Sequence, residues 1–378
     1  MSSQLSPPTA ACRSWRRRSV TVVATVLLAS PAALPALAAD PSAPQRYTLT
    51  ELGAPGTGTA SFALGLSPQG EVVGTARTSP SNRPQFATRW SGGQATSLGS
   101  LPGSTFSRVF AQNAQGVAVG EAFTASPEVS RAVSFDQDGT VRDLGALGSS
   151  AVANDINARG TIVGSSMSKA VVFGESGPVA LPPLDPTVSG TSRADAINDR
   201  GQVAGFAPGA VAGAGAVGQA ALWTPFGRGY LATGLDRLAP GRFARAYDLN
   251  AGGTTVGEAT RDNVTRAVRW DGAAVQELPG VDDYRFTRAN AVSNSDDIVG
   301  HATGFLGFAT RDGAAVLWRS GVAYDLNDFV DQADGFVLRS AEAVDERGRI
   351  VGFGTVTVDG QTQPQTRGFL LTPVTAGR

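Results

Sequence analysis

The chain has 378 residues, 42% hydrophobic and 17% charged, with 47 glycines, 22 prolines and a formal net charge of −1. No long stretch carries a 3.6-residue apolar period, which excludes an all-α protein; this glycine and proline content suits short strands joined by turns. One histidine and one cysteine exclude a His- or Cys-rich metal site by count, and no cofactor is expected.

The first element in chain order reads as an export signal. The basic run RSWRRR (Arg13 to Arg18) precedes the apolar, proline-interrupted SVTVVATVLLASPAALPALA (Ser19 to Ala38). Small residues at Ala36 to Ala38 place cleavage after Ala38, so residues 1–38 read as a signal peptide and 39–378 as one exported domain. RRSVTV (Arg17 to Val22) loosely resembles a twin-arginine signal. Cleavage removes Cys12, and with it any disulfide or thiol chemistry. Four arginines and no acid also leave, moving the net charge from −1 to −5. A mildly acidic exported chain is a poor nucleic-acid binder. No membrane span remains after cleavage, and a monomer is expected.

The rest of the chain repeats itself. ANDINARGTIVG (Ala153 to Gly164) returns in diluted form as ADAINDRGQVAG (Ala194 to Gly205) and ARAYDLNAGGTTVG (Ala244 to Gly257). Aligned on the final glycine there are seven copies, ending at Gly74, Gly120, Gly164, Gly205, Gly257, Gly300 and Gly352. Seven residues earlier stand Ser67, Asn113, Asn157, Asn198, Asn250, Ser293 and Asp345, short side chains that can cap a turn. Four residues earlier stands a glycine in six copies and Asp296 in the other, the position that needs positive φ. Each copy therefore predicts a tight β-hairpin.

A third apolar run follows each hairpin, from FATRW (Phe86 to Trp90) to RGFLL (Arg367 to Leu371), and a fourth ends in a turn, as in VRDLG (Val141 to Gly145). Four short strands per unit of about 40–50 residues predict propeller blades. RYTLTELG (Arg46 to Gly53) is a fourth strand without its first three, and RGFLLTP is a third strand without its fourth. The expected fold is an all-β, seven-bladed β-propeller of four-stranded antiparallel blades, closed by the N-terminal strand joining the C-terminal blade.

Residues Arg142 to Phe173, RDLGALGSSAVANDINARGTIVGSSMSKAVVF, resemble the HAF-repeat family of bacterial extracellular proteins. Its pattern runs Asp-Leu-Gly-x-Leu-Gly, then Ala-x-x-Ile-Asn-x-x-Gly-x-Val-Val-Gly, then His-Ala-Phe-Leu-Trp. The naming histidine is replaced here by Arg131, Lys169, Gln219 and Arg266. The resemblance implies export and a repeat fold, with no reaction and no catalytic residues to carry over.

Function is expected on the longer connections. Those from second to third strand and from fourth to first read as long, among them FAPGAVAGAGAVGQ (Phe206 to Gln219) and PGVDDYRF (Pro279 to Phe286). Strand parity places both classes on one face. Arg108, Arg193, Arg245 and Arg288 recur twelve residues before the terminal glycine, three of them in Phe-x-Arg. They form either an anion-receptive ring at the channel mouth or links to acids of adjacent blades. Regular recurrence favours the links. Asp282, Asp283 and Tyr284 complete the candidate ligand-binding set. Asp328, Asp331 and Asp334 read as solvated loop acids, and His301 is a poor catalyst without a nucleophile elbow. The expected role is a secreted, non-enzymatic protein that binds an extracellular anionic or glycan ligand through its long-loop face. The alternative is a carboxylate-based polysaccharide hydrolase or lyase at the same place.

Overall fold

The computed structural model describes residues 44–56, 58–77, 85–125, 128–211, 215–281, 284–304, 313–331, 335–358 and 363–374. They form seven four-stranded antiparallel sheets. Six are built from consecutive strands, in residues 61–99, 104–143, 151–180, 193–234, 244–277 and 286–325. The seventh takes three strands from residues 337–373 and its fourth, Tyr47–Leu52, from the other end of the chain. The closing strand pairs antiparallel to Gln365–Pro373, from Tyr47 opposite Pro373 to Leu52 opposite Gly368. The predicted ring closure is present: Tyr47–Leu52 covers the edge of Gln365–Pro373 and becomes the outer strand of the seventh blade.

The hairpin between first and second strands is built as the residue pattern demands. Asn157 accepts N–H bonds from Arg159 at 3.0 Å and Thr161 at 2.9 Å through its side-chain oxygen. The following turn glycine, Gly160, has φ 79°, and Asp296 takes the same left-handed region at φ 63°. The asparagine also reaches across the blade junction. Asn113 donates to Asn157 O, Asn157 to Asn198 O, Asn198 to Asn250 O and Asn250 to Ser293 O, at 3.0–3.3 Å. One side chain thus caps its own turn and ties it to the next blade.

The terminal glycine has a different cause. In all seven blades the first strand carries a β-bulge, with one extra residue between the partner of the terminal glycine and the next paired position. The bulge drives the first strand's backbone against the second. A Cβ on the terminal glycine would lie 1.9–2.0 Å from a carbonyl oxygen in every blade.

Packing between blades follows the small-inside, large-outside order expected from a radial sheet. Ala63, Ala153, Ala194, Ala246, Ala289 and Ala341 on the inner strands are fully buried. Trp90, Trp223, Trp270 and Trp318 fill the wider space on the third strands. Each tryptophan donates its indole N–H to a carbonyl beyond the preceding blade's last strand, at 2.7–2.8 Å.

Two expectations about the connections change. Second-to-third connections are long only in blades one, six and seven; in blades three and five, Met167–Ser168 and Asp262–Asn263 make two-residue turns at positive φ. The glycine-rich Phe206 to Gln219 is not a loop. Its described residues extend the paired strands Val203–Val211 and Gly215–Phe226, with Val211 opposite Gly215. Alanine, glycine and valine side chains satisfy a two-stranded ladder well enough once both backbones pair, which composition alone does not reveal.

Candidate functional site

The inner strands begin at the long-connection end of the ring. Twelve residues before the terminal glycine stand Phe62, Arg108, Val152, Arg193, Arg245, Arg288 and Ser340. Each is paired across its hairpin with the residue after that glycine, including Glu121 with Arg108, Phe206 with Arg193, Glu258 with Arg245 and His301 with Arg288. The bulge residues stand two positions further along: Asn154, Asp195, Tyr247, Asn290 and Glu342 in blades three to seven. Two residues apart along the strand, each of these side chains returns to the face of the first, so both positions share one tier.

Three arginines converge there. Arg245 forms two parallel hydrogen bonds to Asp195 of the preceding blade, at 2.9 and 2.6 Å. Arg193 bonds Asp195 at 2.9 Å and Asn154 at 2.6 Å. Arg288 bonds Glu258 of the preceding blade at 2.9 Å, and the Tyr247 hydroxyl donates to the same carboxylate at 2.9 Å. Arg245 and Arg288 both lie over the Tyr247 ring, 4.5 and 4.9 Å from its centre. The inter-blade links anticipated for these arginines are therefore present at Arg245 and Arg288, while Arg108 faces Glu121 of its own blade at 3.4 Å. Burial pulls the Arg245 pKa down, but the Asp195 charge and hydrogen bonds outweigh it and raise the net value. Burial beside Glu258 raises the Tyr247 hydroxyl, so it stays a donor.

His301 and Glu342 continue the tier. Burial, then the Arg288 charge, push the imidazole down to about 3, so it is neutral at physiological pH. Its Nδ1 lies 3.2 Å from Ser340 Oγ, which also bonds Glu342. This is not a catalytic triad: Ser340 is 1% exposed, and the acid touches the serine rather than the imidazole. Burial raises Glu342 to about 7 against the opposing pull of Ser340 and Arg288.

Nearer the opposite end, Asp155 and Asp248 bond to blade edges. Asp155 accepts from Ile156 N and from Ile197 N of the next blade; Asp248 does the same with Leu249 N and Val292 N, all at 2.7–2.8 Å. Burial, opposed by those N–H groups, leaves Asp155 at about 6 and Asp248 at about 7.

These groups predict an unusual pH profile. Asp155, Asp248 and Glu342 keep their protons in the fold at pH values where the unfolded chain has lost them. The stability these three groups contribute is therefore fully present below the ordinary carboxyl range and is lost as pH rises through about 6–7. His301 opposes this below pH 6.5, because unfolding lets it take up a proton, but it is one group against three. Thermal unfolding is expected at a higher midpoint at pH 5.5 than at pH 8, a difference of roughly 3 kcal/mol in stability. A midpoint that climbs steadily from pH 5.5 to 8 would contradict the assignment.

The remaining candidates disperse. Asp282, Asp283 and Asp334 lie outside the described residues. Tyr284 packs against the core of blades five and six rather than in the arginine tier. Asp331 pairs with Arg46, and Asp328 sits in a single helical turn, Leu326–Phe329. Among the described residues no group of His, Cys, Asp and Glu could hold a metal ion, and no helix is long and apolar enough to cross a membrane. The acids Asp195, Glu258 and Glu342 were not singled out from sequence. Their signal is the bulge position, two residues after the recurrent arginine position, and the position after the terminal glycine.

No protein-family model and no curated protein matches the chain. Among solved structures, the β-propeller domain of the Trilobed protease from Pyrococcus furiosus, which has an open velcro topology, is similar at 11% identity and a TM-score of 0.50. The alignment covers 85% of this chain and 97% of that one. A protein of unknown function from Dyadobacter fermentans aligns over 89% of this chain and all of its own at 13% identity and a TM-score of 0.42. At such identity the first likeness is one of fold: this chain is a seven-bladed β-propeller.

Proposed function

We propose that the protein is exported through its N-terminal signal, is related to the HAF-repeat extracellular proteins, and acts without catalysis by binding an extracellular ligand at its long-connection face. The observation that carries this is the asymmetry of the two faces. First-to-second turns follow one tight pattern and lock to each other, whereas the opposite end carries the varied connections and the arginine tier. A rigid ring with one variable rim is a binding architecture. The acids support this over hydrolysis. Asp155 and Asp248 each accept two backbone N–H groups, Glu258 is held by Arg288 and Tyr247, and Asp195 by two arginines. None is placed to attack or protonate a glycosidic bond.

A glycan and small-anion binding screen on residues 39–378 tests the reading. Ligands found are expected to lose about tenfold in affinity with Arg108→Ala, at the arginine tier, and to ignore Arg159→Ala, in an exposed turn of the opposite face. A screen without hits, or hits weakened by Arg159→Ala alone, would remove the proposal.

A further inference from the structure

The arginine tier has more hydrogen-bonding capacity than the protein uses. Arg288 engages only its Nε, with Glu258, and Arg245 engages Nε and one terminal nitrogen, with Asp195. Among the described residues the other guanidinium nitrogens have no partner, although both side chains are half-buried, 34% and 22% exposed. Through the shared Tyr247 ring the two cations lie within about 9.4 Å of each other. A half-buried guanidinium with an open edge is a carboxylate receptor by geometry.

The flanks of the tier are aromatic. Phe206 lies 5.1 Å under Arg245 on one side. On the other, Arg288 faces His301, His301 touches Ser340, and Ser340 faces Phe353, which packs edge-on against Phe62 at 5.2 Å. The charge count is also uneven. Arg193, Arg245 and Arg288 are balanced by Asp195, Glu258 and Glu342 only when Glu342 is ionised. His301 and Tyr247 are neutral, and Ser340 and Asn290 are the remaining polar groups beside it. With Glu342 protonated the tier holds one positive charge in excess.

We propose that this tier binds a small monocarboxylate with an apolar body, its carboxylate on the open edges of Arg245 and Arg288 and its body against the aromatic flanks. Glu342 acts as the internal competitor: when ionised it answers the Arg288 charge, and when protonated it yields that charge to the ligand. Affinity therefore rises as pH falls through neutrality. This rests on the long-connection face being the binding face and names the ligand class that the face accepts.

Isothermal titration of the mature protein with benzoate tests it, with glucuronate and sulfate as comparators. Benzoate is expected to bind with a Kd at or below about 1 mM at pH 6 and about tenfold more weakly at pH 8. Glucuronate, with the same charge on a polar body, and sulfate, with no apolar body, should bind more weakly than benzoate. Arg288→Gln should weaken benzoate at least about tenfold at pH 6. Glu342→Gln, which leaves the arginines in place, should bind at pH 8 as wild type does at pH 6 and lose the pH dependence. That gain of affinity would survive even if Arg288→Gln failed to fold, and a purely structural Glu342 would not produce it. Absence of benzoate binding, equal binding of glucuronate, or a Glu342→Gln protein that keeps the wild-type pH profile would each overturn the inference. Benzoate failing while another ligand loses affinity with Arg108→Ala would overturn this inference alone and leave the binding-face reading standing.

Discussion

Gly164→Ala is expected to destabilise the protein by about 3 kcal/mol, the larger effect of any single methyl added to the hairpin. Its Cβ would meet Val152 O at 2.0 Å, backbone against backbone, so no side chain can swing aside. Relief requires undoing the bulge in the first strand, and the bulge places Asn154 and Asp155 on the next blade. Gly160→Ala, four residues away in the same turn, has nothing within 4 Å and faces only the left-handed strain of φ 79°, about 1–2 kcal/mol. Urea unfolding of the two variants compares them directly. Equal midpoints, or a lower one for Gly160→Ala, would mean that close approach is not what the terminal glycine serves.

The second large effect concerns ring closure. A chain beginning at Ala54 lacks the closing strand, and is expected to lose about 5 kcal/mol or more, a large share of the total stability of an ordinary domain. Tyr47 and Leu52 are 4% and 3% exposed, and their removal bares the apolar face of the last blade. It also unpairs one edge of Gln365–Pro373 along six residues, a template for association. The truncated protein should unfold at lower denaturant and oligomerise. A synthetic peptide of residues 44–54 should restore the midpoint in a concentration-dependent way. Unchanged stability without the strand would show that the ring holds by blade-to-blade packing alone.

Much of this architecture is legible in the residues themselves, because a repeat turns weak local signals into one strong one. A single Asn-x-x-Gly is any turn; four of them and three Ser- or Asp-led variants in one repeating frame, with alanines on one side and tryptophans on the other, are blades. The complementary fragments at Tyr47 and Gly368 announce the closure, since each lacks the strand the other supplies. Other features are unreadable for physical reasons. The ribbon at Val203–Val211 and Gly215–Phe226 is too small and apolar to carry a period-2 pattern, so it resembles a loop. The turns at Met167 and Asn263 adopt positive φ without glycine.

The candidate site shows the division most clearly. The recurrence of Arg108, Arg193, Arg245 and Arg288 is a property of the linear chain, and so is their common level at the start of the inner strands. Their partners are not. Asp195 reaches Arg245, and Glu258 reaches Arg288, only because neighbouring blades meet at this level. Periodicity is set by local backbone geometry, which residues encode one strand at a time. Which acid answers which arginine, and which guanidinium edges stay open, depends on the angle at which neighbouring sheets close around the axis.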